Sequence, residues 1–235
     1  LITFDTSPQG SEAWLLARKG RITGSRFKDA RDRTAKGALS SKATLYALDT
    51  ARERFGGSAA PNYVNAAMRT GTEQEPIARM QYEAETGNVV LEAGFAYTAD
   101  GRFGASVDGL VGTDGMVEIK TMVSSDTLFT AVVHQDYSAY IDQINGSLWL
   151  LDRKWCDLIL WAPDLPIGAL TIIRIEREEA AIKKLAADLM DFDAVVEDYF
   201  KALSDRLKPA PWMDEGAEVF PPERVETCDM NETAP

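Results

Sequence analysis

Histidine occurs once in this sequence of 235 residues, at His134, and cysteine only at Cys156 and Cys228. Two distant cysteines exclude a four-cysteine zinc or iron–sulfur site within the chain, and one histidine leaves a Ser-His-Asp hydrolase or a multi-histidine metal centre poorly supported. Any metal must sit on oxygen ligands. The scarcity of cysteine also fits a reducing compartment. No apolar run approaches the roughly 18 residues that span a bilayer, and the first residues lack the short apolar core and small-residue cleavage site of a secretory signal. The expectation is a soluble, cytoplasmic chain without membrane attachment. Positive charge is short as well: 25 Lys and Arg stand against 37 Asp and Glu, a formal net charge of -12. That argues, at first sight, against a polyanionic partner.

The distribution of charge changes that reading. Between Trp14 and Lys36 there are eight Lys or Arg against only Asp29 and Asp32, whereas residues 176–235 hold sixteen acidic and seven basic residues. The basic stretch is either a phosphate-facing surface or a solvated pair of helices, and the acidic end would be repelled by nucleic acid.

Hydrophobic residues make up 45% of the chain, enough for one sizeable core, and one domain over residues 1–208 is expected. Ser11 is placed to cap a short helix over 12–18, and Gly20 to stop it. Further helices are expected at about 25–32, at 41–55 and at 72–86, the last with Pro76 in its first turn, where a missing N–H costs nothing. The period then shortens. Residues 89–92, 95–98, 104–111 and 116–122 read as consecutive strands, separated by Asp100-Gly101 and Thr113-Asp114-Gly115. A helix over 138–151, strands over 156–161 and 170–176, and a long helix over 178–206 complete an α/β chain with a central mixed sheet flanked by helices. Residues 209–235 form an acidic, proline-containing tail without periodicity.

The chemistry concentrates in Ser106-Val107-Asp108-Gly109-Leu110 and Val117-Glu118-Ile119-Lys120-Thr121. Alternation along a strand puts Glu118 and Lys120 on one face and Ile119 on the other, and a tight turn brings Asp108 beside them. Two carboxylates suit Mg²⁺, which keeps several waters and takes few protein ligands. Such a site positions a phosphate, stabilises developing charge and supplies a hydroxide, with Lys120 orienting the water or taking its proton. The alternative is a surface ion pair between Glu118 and Lys120. Flanking Val107, Leu110, Val117 and Ile119 imply buried strands, where charge is seldom placed without partners. His134, Trp149, Trp155 and Trp161 are expected to be structural, and Trp212 either packs back or meets a partner.

This segment resembles the PD-(D/E)xK nuclease motif, with Val107-Asp108 in place of Pro-Asp. Its surroundings, over about 11–200, resemble the lambda exonuclease and YqaJ-like viral recombinase family. Trp14-Leu15-Leu16-Ala17-Arg18 and Gly20-Arg21-Ile22-Thr23-Gly24-Ser25 are similar to the family's N-terminal block. Gly71-Thr72-Glu73-Gln74-Glu75 is similar to its G-x-x-x-E block, and Tyr140-Ile141-Asp142-Gln143-Ile144 to its glutamine-bearing helix. The resemblance implies a restriction-endonuclease-like core and two Mg²⁺ ions, with Mn²⁺ as a substitute. The implied ligands are Asp108, Glu118, the Ile119 carbonyl and Glu75, with Lys120 and Gln143 completing the catalytic set. It also implies a terminal 5′-phosphate held by Arg18, Ser25, Ser106 and Gln143. Met68 falls at the position of an apolar wedge, or else in the core. Arg31, Arg33 and Lys36 are candidates for gripping the DNA backbone.

The implied activity is 5′→3′ digestion of one strand of duplex DNA from its end to mononucleotides. The implied assembly is a homotrimeric ring, working with a single-strand annealing protein in phage-type recombination inside a bacterial host. An endonuclease on the same fold and a silent DNA-binding module are the competing readings. Terminal-phosphate recognition argues against the first, and the intact Asp108, Glu118 and Lys120 against the second.

Overall fold

The computed structural model describes residues 2–58 and 66–207. The tail at 209–235, with Trp212 and Cys228, lies outside the described residues. Strand β1 (Ile2–Asp5) precedes helix α1 (Glu12–Arg18), short strand β2 (Ile22–Thr23) and a 3₁₀ turn, Gly24–Arg26, which leads into α2 (Phe27–Ala30). Helices α3 (Ser41–Arg54) and α4 (Ala66–Thr86) follow, and then strands β3 (Val90–Leu91), β4 (Phe95–Thr98), β5 (Phe103–Ser106), β6 (Gly109–Val111) and β7 (Gly115–Thr121). After β7 come α5 (Ser125–Leu128), a π-helical turn at Phe129–Val133, α6 (Ile141–Leu151), β8 (Trp155–Trp161), β9 (Leu170–Glu176) and α7 (Glu179–Arg206). Local chemistry sets several of these boundaries. Ser11 Oγ accepts from Trp14 N at the start of α1, and Ser40 Oγ accepts from Ala43 N at the start of α3.

The strands form two mixed sheets rather than one. The first has the order β1-β4-β5-β2 and the second β3-β6-β7-β8-β9. The run expected as a single strand over 104–111 breaks at Val107-Asp108: β5 pairs with β4 and β2, while β6 pairs with β3 and β7. The break lies where the chain passes from one sheet to the other, and it is tight. A Cβ on Gly109 would lie 2.1 Å from the Val90 side chain.

Helices cover both faces of the second sheet. Met116, Leu158 and Leu160 pack against Ile144 and Leu148 of α6, while Val117, Ile119 and Ile159 pack against Ala78 and Tyr82 of α4. A third cluster joins the first sheet to α2, α3 and α7 through Ile22, Phe103, Phe27, Tyr46 and Phe192. The expected alternation along β7 therefore holds: Glu118 and Lys120 share the Met116 side, toward α6. Pro76, expected in a first turn, lies inside α4 instead, because the helix already runs from Ala66. Its ring is on the exposed side, where loss of one backbone donor is least costly.

Candidate active site

The passage between the sheets brings two groups of side chains into one cleft of about 700 Å³. Asp108 is anchored at the crossover by its own backbone neighbourhood: Ile119 N donates to Asp108 Oδ2 at 2.6 Å. On β7, Lys120 Nζ donates to Glu118 Oε1 at 2.6 Å, and Gln143 Nε2 of α6 donates to the same oxygen at 2.6 Å. The other oxygen, Glu118 Oε2, is buried in a residue that is 1% exposed, and among the described residues it has no hydrogen-bond partner. An orphaned buried carboxylate oxygen is costly unless a cation or a water meets it. The Tyr140 ring lies beside Lys120, its centroid 5.8 Å from Nζ.

Glu75 of α4 lines the same cleft but is held by Arg79, whose Nη2 donates to Glu75 Oε1 at 3.0 Å; Arg79 also reaches Glu92 at 2.8 Å. Among the described residues, no three His, Cys, Asp or Glu side chains cluster closely enough to chelate a metal by themselves. The acidic set is a pair, Asp108 and Glu118, with Glu75 set apart on Arg79. Ile119 lines the cleft beside that pair.

Negative charge exceeds its compensation here. Burial, reinforced by Asp108, pushes the Glu75 carboxyl up to about 7 against the pull of Arg79. Burial likewise pushes Glu118 up to about 7, with Lys120 opposing it and Asp108 adding to it. Asp108 is also raised by burial, against Lys120 and the Ile119 amide. Lys120 goes the other way. Burial alone would lower it, but Glu118 and Asp108 together carry it above its ordinary value. One ammonium serving two buried carboxylates is over-compensated, and they are under-compensated.

At the other end of the cleft, Arg18 lies over the Trp14 ring at 4.2 Å and within 5.4 Å of the Phe95 ring, and its Nη2 donates to Ser25 Oγ at 3.4 Å. Ser106 ends β5 and accepts from Trp14 Nε1 at 3.1 Å. The expected phosphate-binding set of Arg18, Ser25, Ser106 and Gln143 is thus gathered in one cleft with Asp108, Glu118 and Lys120. Met68 lines this cleft and is half exposed, so it is not a core residue.

The candidate DNA-gripping residues are elsewhere. Arg31 is paired with Asp142 and with Asp188 at 2.8 Å, beside a separate cavity of about 390 Å³ that Arg33 also lines. Arg33 donates to the Ala30 and Asp32 carbonyls, and Lys36 is exposed on the turn that follows. His134 is exposed at the end of the π turn. Trp161 is buried and donates to Gln74, Trp149 packs on Phe103, and Trp155 lies under Arg174. Arg79, the partner of Glu75, carried no functional signal in the sequence, where it reads as an ordinary helix-surface partner at i,i+4.

Residues 13–154 match the family model of the YqaJ-like viral recombinase domain. Among solved structures, the alkaline exonuclease of Laribacter hongkongensis superposes with a TM-score of 0.73 at 32% identity, covering 83% of this chain and 97% of that one. The same enzyme in complex with dAMP gives 0.74 at 33% identity with the same coverage. A phage related exonuclease from Haemophilus somnus 129PT shares the fold, with a TM-score of 0.62 at 15% identity over 79% of this chain and 96% of that one. A comparison with curated proteins returned no match.

Proposed function

This chain belongs to the YqaJ-like viral recombinase domain family, and on that premise we propose that it is a Mg²⁺-dependent exonuclease. In this reading it shortens one strand of linear duplex DNA from a 5′-phosphorylated end to mononucleotides, leaving 3′ single strands for recombination by annealing. The Laribacter relative is an alkaline exonuclease solved with dAMP, itself a mononucleotide. The observation that carries the proposal is the orphaned, buried Glu118 Oε2 in the same cleft as Asp108, Lys120 and Arg18.

Oxygen donors, an unpaired carboxylate oxygen and an excess of negative charge fit Mg²⁺, which is commonly held by one or two protein carboxylates while keeping several waters. Asp108 and Glu118 would hold it, with the Ile119 carbonyl and Glu75 as further candidates; two ions, with Mn²⁺ as a substitute, belong to the same reading. When bound, the metal supplies charge neutralisation at the scissile phosphate and an acidified water. The chain's own residues do the rest. Lys120, whose ammonium form Glu118 and Asp108 favour, donates to a water or phosphate oxygen. Gln143 fixes Glu118 Oε1, so that the free Oε2 keeps one orientation. Arg18 offers a permanently charged planar fork to a dianionic terminal phosphate, with Ser25 and Ser106 as neutral donors around it.

Hydrolysis breaks the O3′–P bond behind the terminal nucleotide, and water oxygen forms the new P–O bond. The shortened strand then carries a fresh 5′-phosphate, so each product is again a ligand of the Arg18 pocket. A ring of three copies around the duplex would retain DNA between cuts. That assembly, a single-strand annealing protein as partner, a wedge role for Met68 and a backbone grip by Arg31, Arg33 and Lys36 complete the proposal. The test is to incubate linear and covalently closed duplex with the protein in Mg²⁺ or in a chelator, alongside Asp108→Ala. Mononucleotides from the linear form alone, only with metal and only with Asp108 present, support the exonuclease. Nicking of the closed form points to an endonuclease, and binding without cutting under any divalent metal points to a DNA-binding module.

A further inference from the structure

Trp14 is nearly buried, yet it lines the cleft and spends its one polar group there. Its indole N–H donates to Ser106 Oγ at 3.1 Å. An indole nitrogen can only donate, whereas a serine hydroxyl both donates and accepts. Once Ser106 Oγ accepts from Trp14, its own O–H proton must point elsewhere, and among the described residues no acceptor takes it. The same logic applies at Ser25, whose Oγ accepts from the Arg18 guanidinium, another group that can only donate. Each of these hydroxyls in the cleft thus has one lone pair occupied by a group that can only donate, and keeps its proton to give to an entering ligand. Such a set suits a ligand terminus made of acceptors and nothing else, as a phosphate dianion is. A terminal hydroxyl gains less from it.

Resting on the proposed function, we infer that Trp14 is a positioning residue for end selection: by occupying a lone pair of Ser106, its N–H presets that hydroxyl as a donor to the terminal phosphate. The Trp14 ring also lies under the Arg18 guanidinium at 4.2 Å, so the two roles must be separated. Trp14→Phe keeps an aromatic plane for Arg18 and removes only the donor. Replacing the indole with its benzothiophene isostere removes the donor with the bicyclic shape intact, and it serves where the Phe variant folds poorly.

The experiment compares cleavage of duplexes that differ only in a 5′-phosphate or a 5′-hydroxyl, for the wild type, Trp14→Phe, Ser106→Ala and the double variant, with thermal unfolding of each. The preference for phosphate, read as the ratio of the rates on the two ends, should fall about three- to tenfold in Trp14→Phe, as for loss of one neutral hydrogen bond. The double variant should lose no more than Ser106→Ala alone, because Trp14 acts through that hydroxyl. Full preference in the isostere, or losses that multiply in the double variant, would overturn the inference. A wild type that cuts both ends equally would overturn the phosphate pocket itself, and is recognised before any variant is made.

Discussion

Removing the charge from Glu118 should flatten the pH dependence of stability in the metal-free protein, and the size of the effect follows from the site. The Glu118 carboxyl is pushed from an ordinary value of 4.5 to about 7, chiefly by burial. A carboxyl whose pKa is higher folded than unfolded binds its proton more tightly in the folded state. Its stabilising contribution is fully present below pH 4.5 and is lost as pH rises through about 7. At about 1.4 kcal/mol per pH unit, the loss is roughly 3 kcal/mol. For a domain of this size that corresponds to a Tm about 6–12 °C lower at pH 8 than at pH 5. Mg²⁺ requires the ionised form, so its stabilisation should be small at pH 6 and grow toward pH 8. Differential scanning calorimetry of wild type and Glu118→Gln, at pH 5 to 8 in chelator and in Mg²⁺, reads both effects. The variant should lose the Glu118 share of the slope, while Glu75 and Asp108 keep theirs, and most of the Mg²⁺ response. An undiminished slope in Glu118→Gln, or a metal-free wild type more stable at pH 8 than at pH 5, would refute the reasoning.

Other perturbations separate the cleft from its scaffold. Lys120→Met should slow cleavage by about 10²–10⁴-fold in single-turnover assays while end binding measured by fluorescence anisotropy persists. Asp157→Ala strips partners from the Tyr82 hydroxyl and from Arg174, on the α4 side of the second sheet; it should cost about 2–3 kcal/mol in urea denaturation and leave turnover at low temperature unchanged. Lys36→Ala should lower the slope of log affinity against log salt by about one if Lys36 meets a phosphate. Arg31→Ala should lower that slope as well and, because it breaks pairs with Asp142 and Asp188, should also lower the Tm.

Much of this arrangement was legible because its signals are local. Ser11 is a cap next to the amide it serves, and the strict alternation of β7 foretells that Glu118 and Lys120 share a face. The fold class followed from the change of period after Thr86. What failed to show is what depends on distant partners. Nothing in the run 104–111 reveals that its halves join different sheets, because the strands they pair with, β4 and β2 on one side and β3 and β7 on the other, lie elsewhere in the chain. The helix expected over 72–86, with Pro76 in its first turn, runs from Ala66. The strand Ile2–Asp5 is held by pairing with β4 rather than by its own pattern. In the cleft, the residue types of the motif pointed to Asp108, Glu118 and Lys120. The roles of Trp14 and Arg79 arise from contacts that spacing alone does not encode.

In the proposed mechanism the Arg18 end of the cleft chooses the strand and the Asp108–Glu118 end cuts it. A linear duplex with a 5′-phosphate on one strand only, each strand labelled separately, tests this in Mg²⁺. The phosphorylated strand alone should shrink to mononucleotides, Arg18→Ala should abolish the choice, and Asp108→Ala should abolish cutting. Equal loss of both strands, or digestion that begins from the 3′ end, would contradict it.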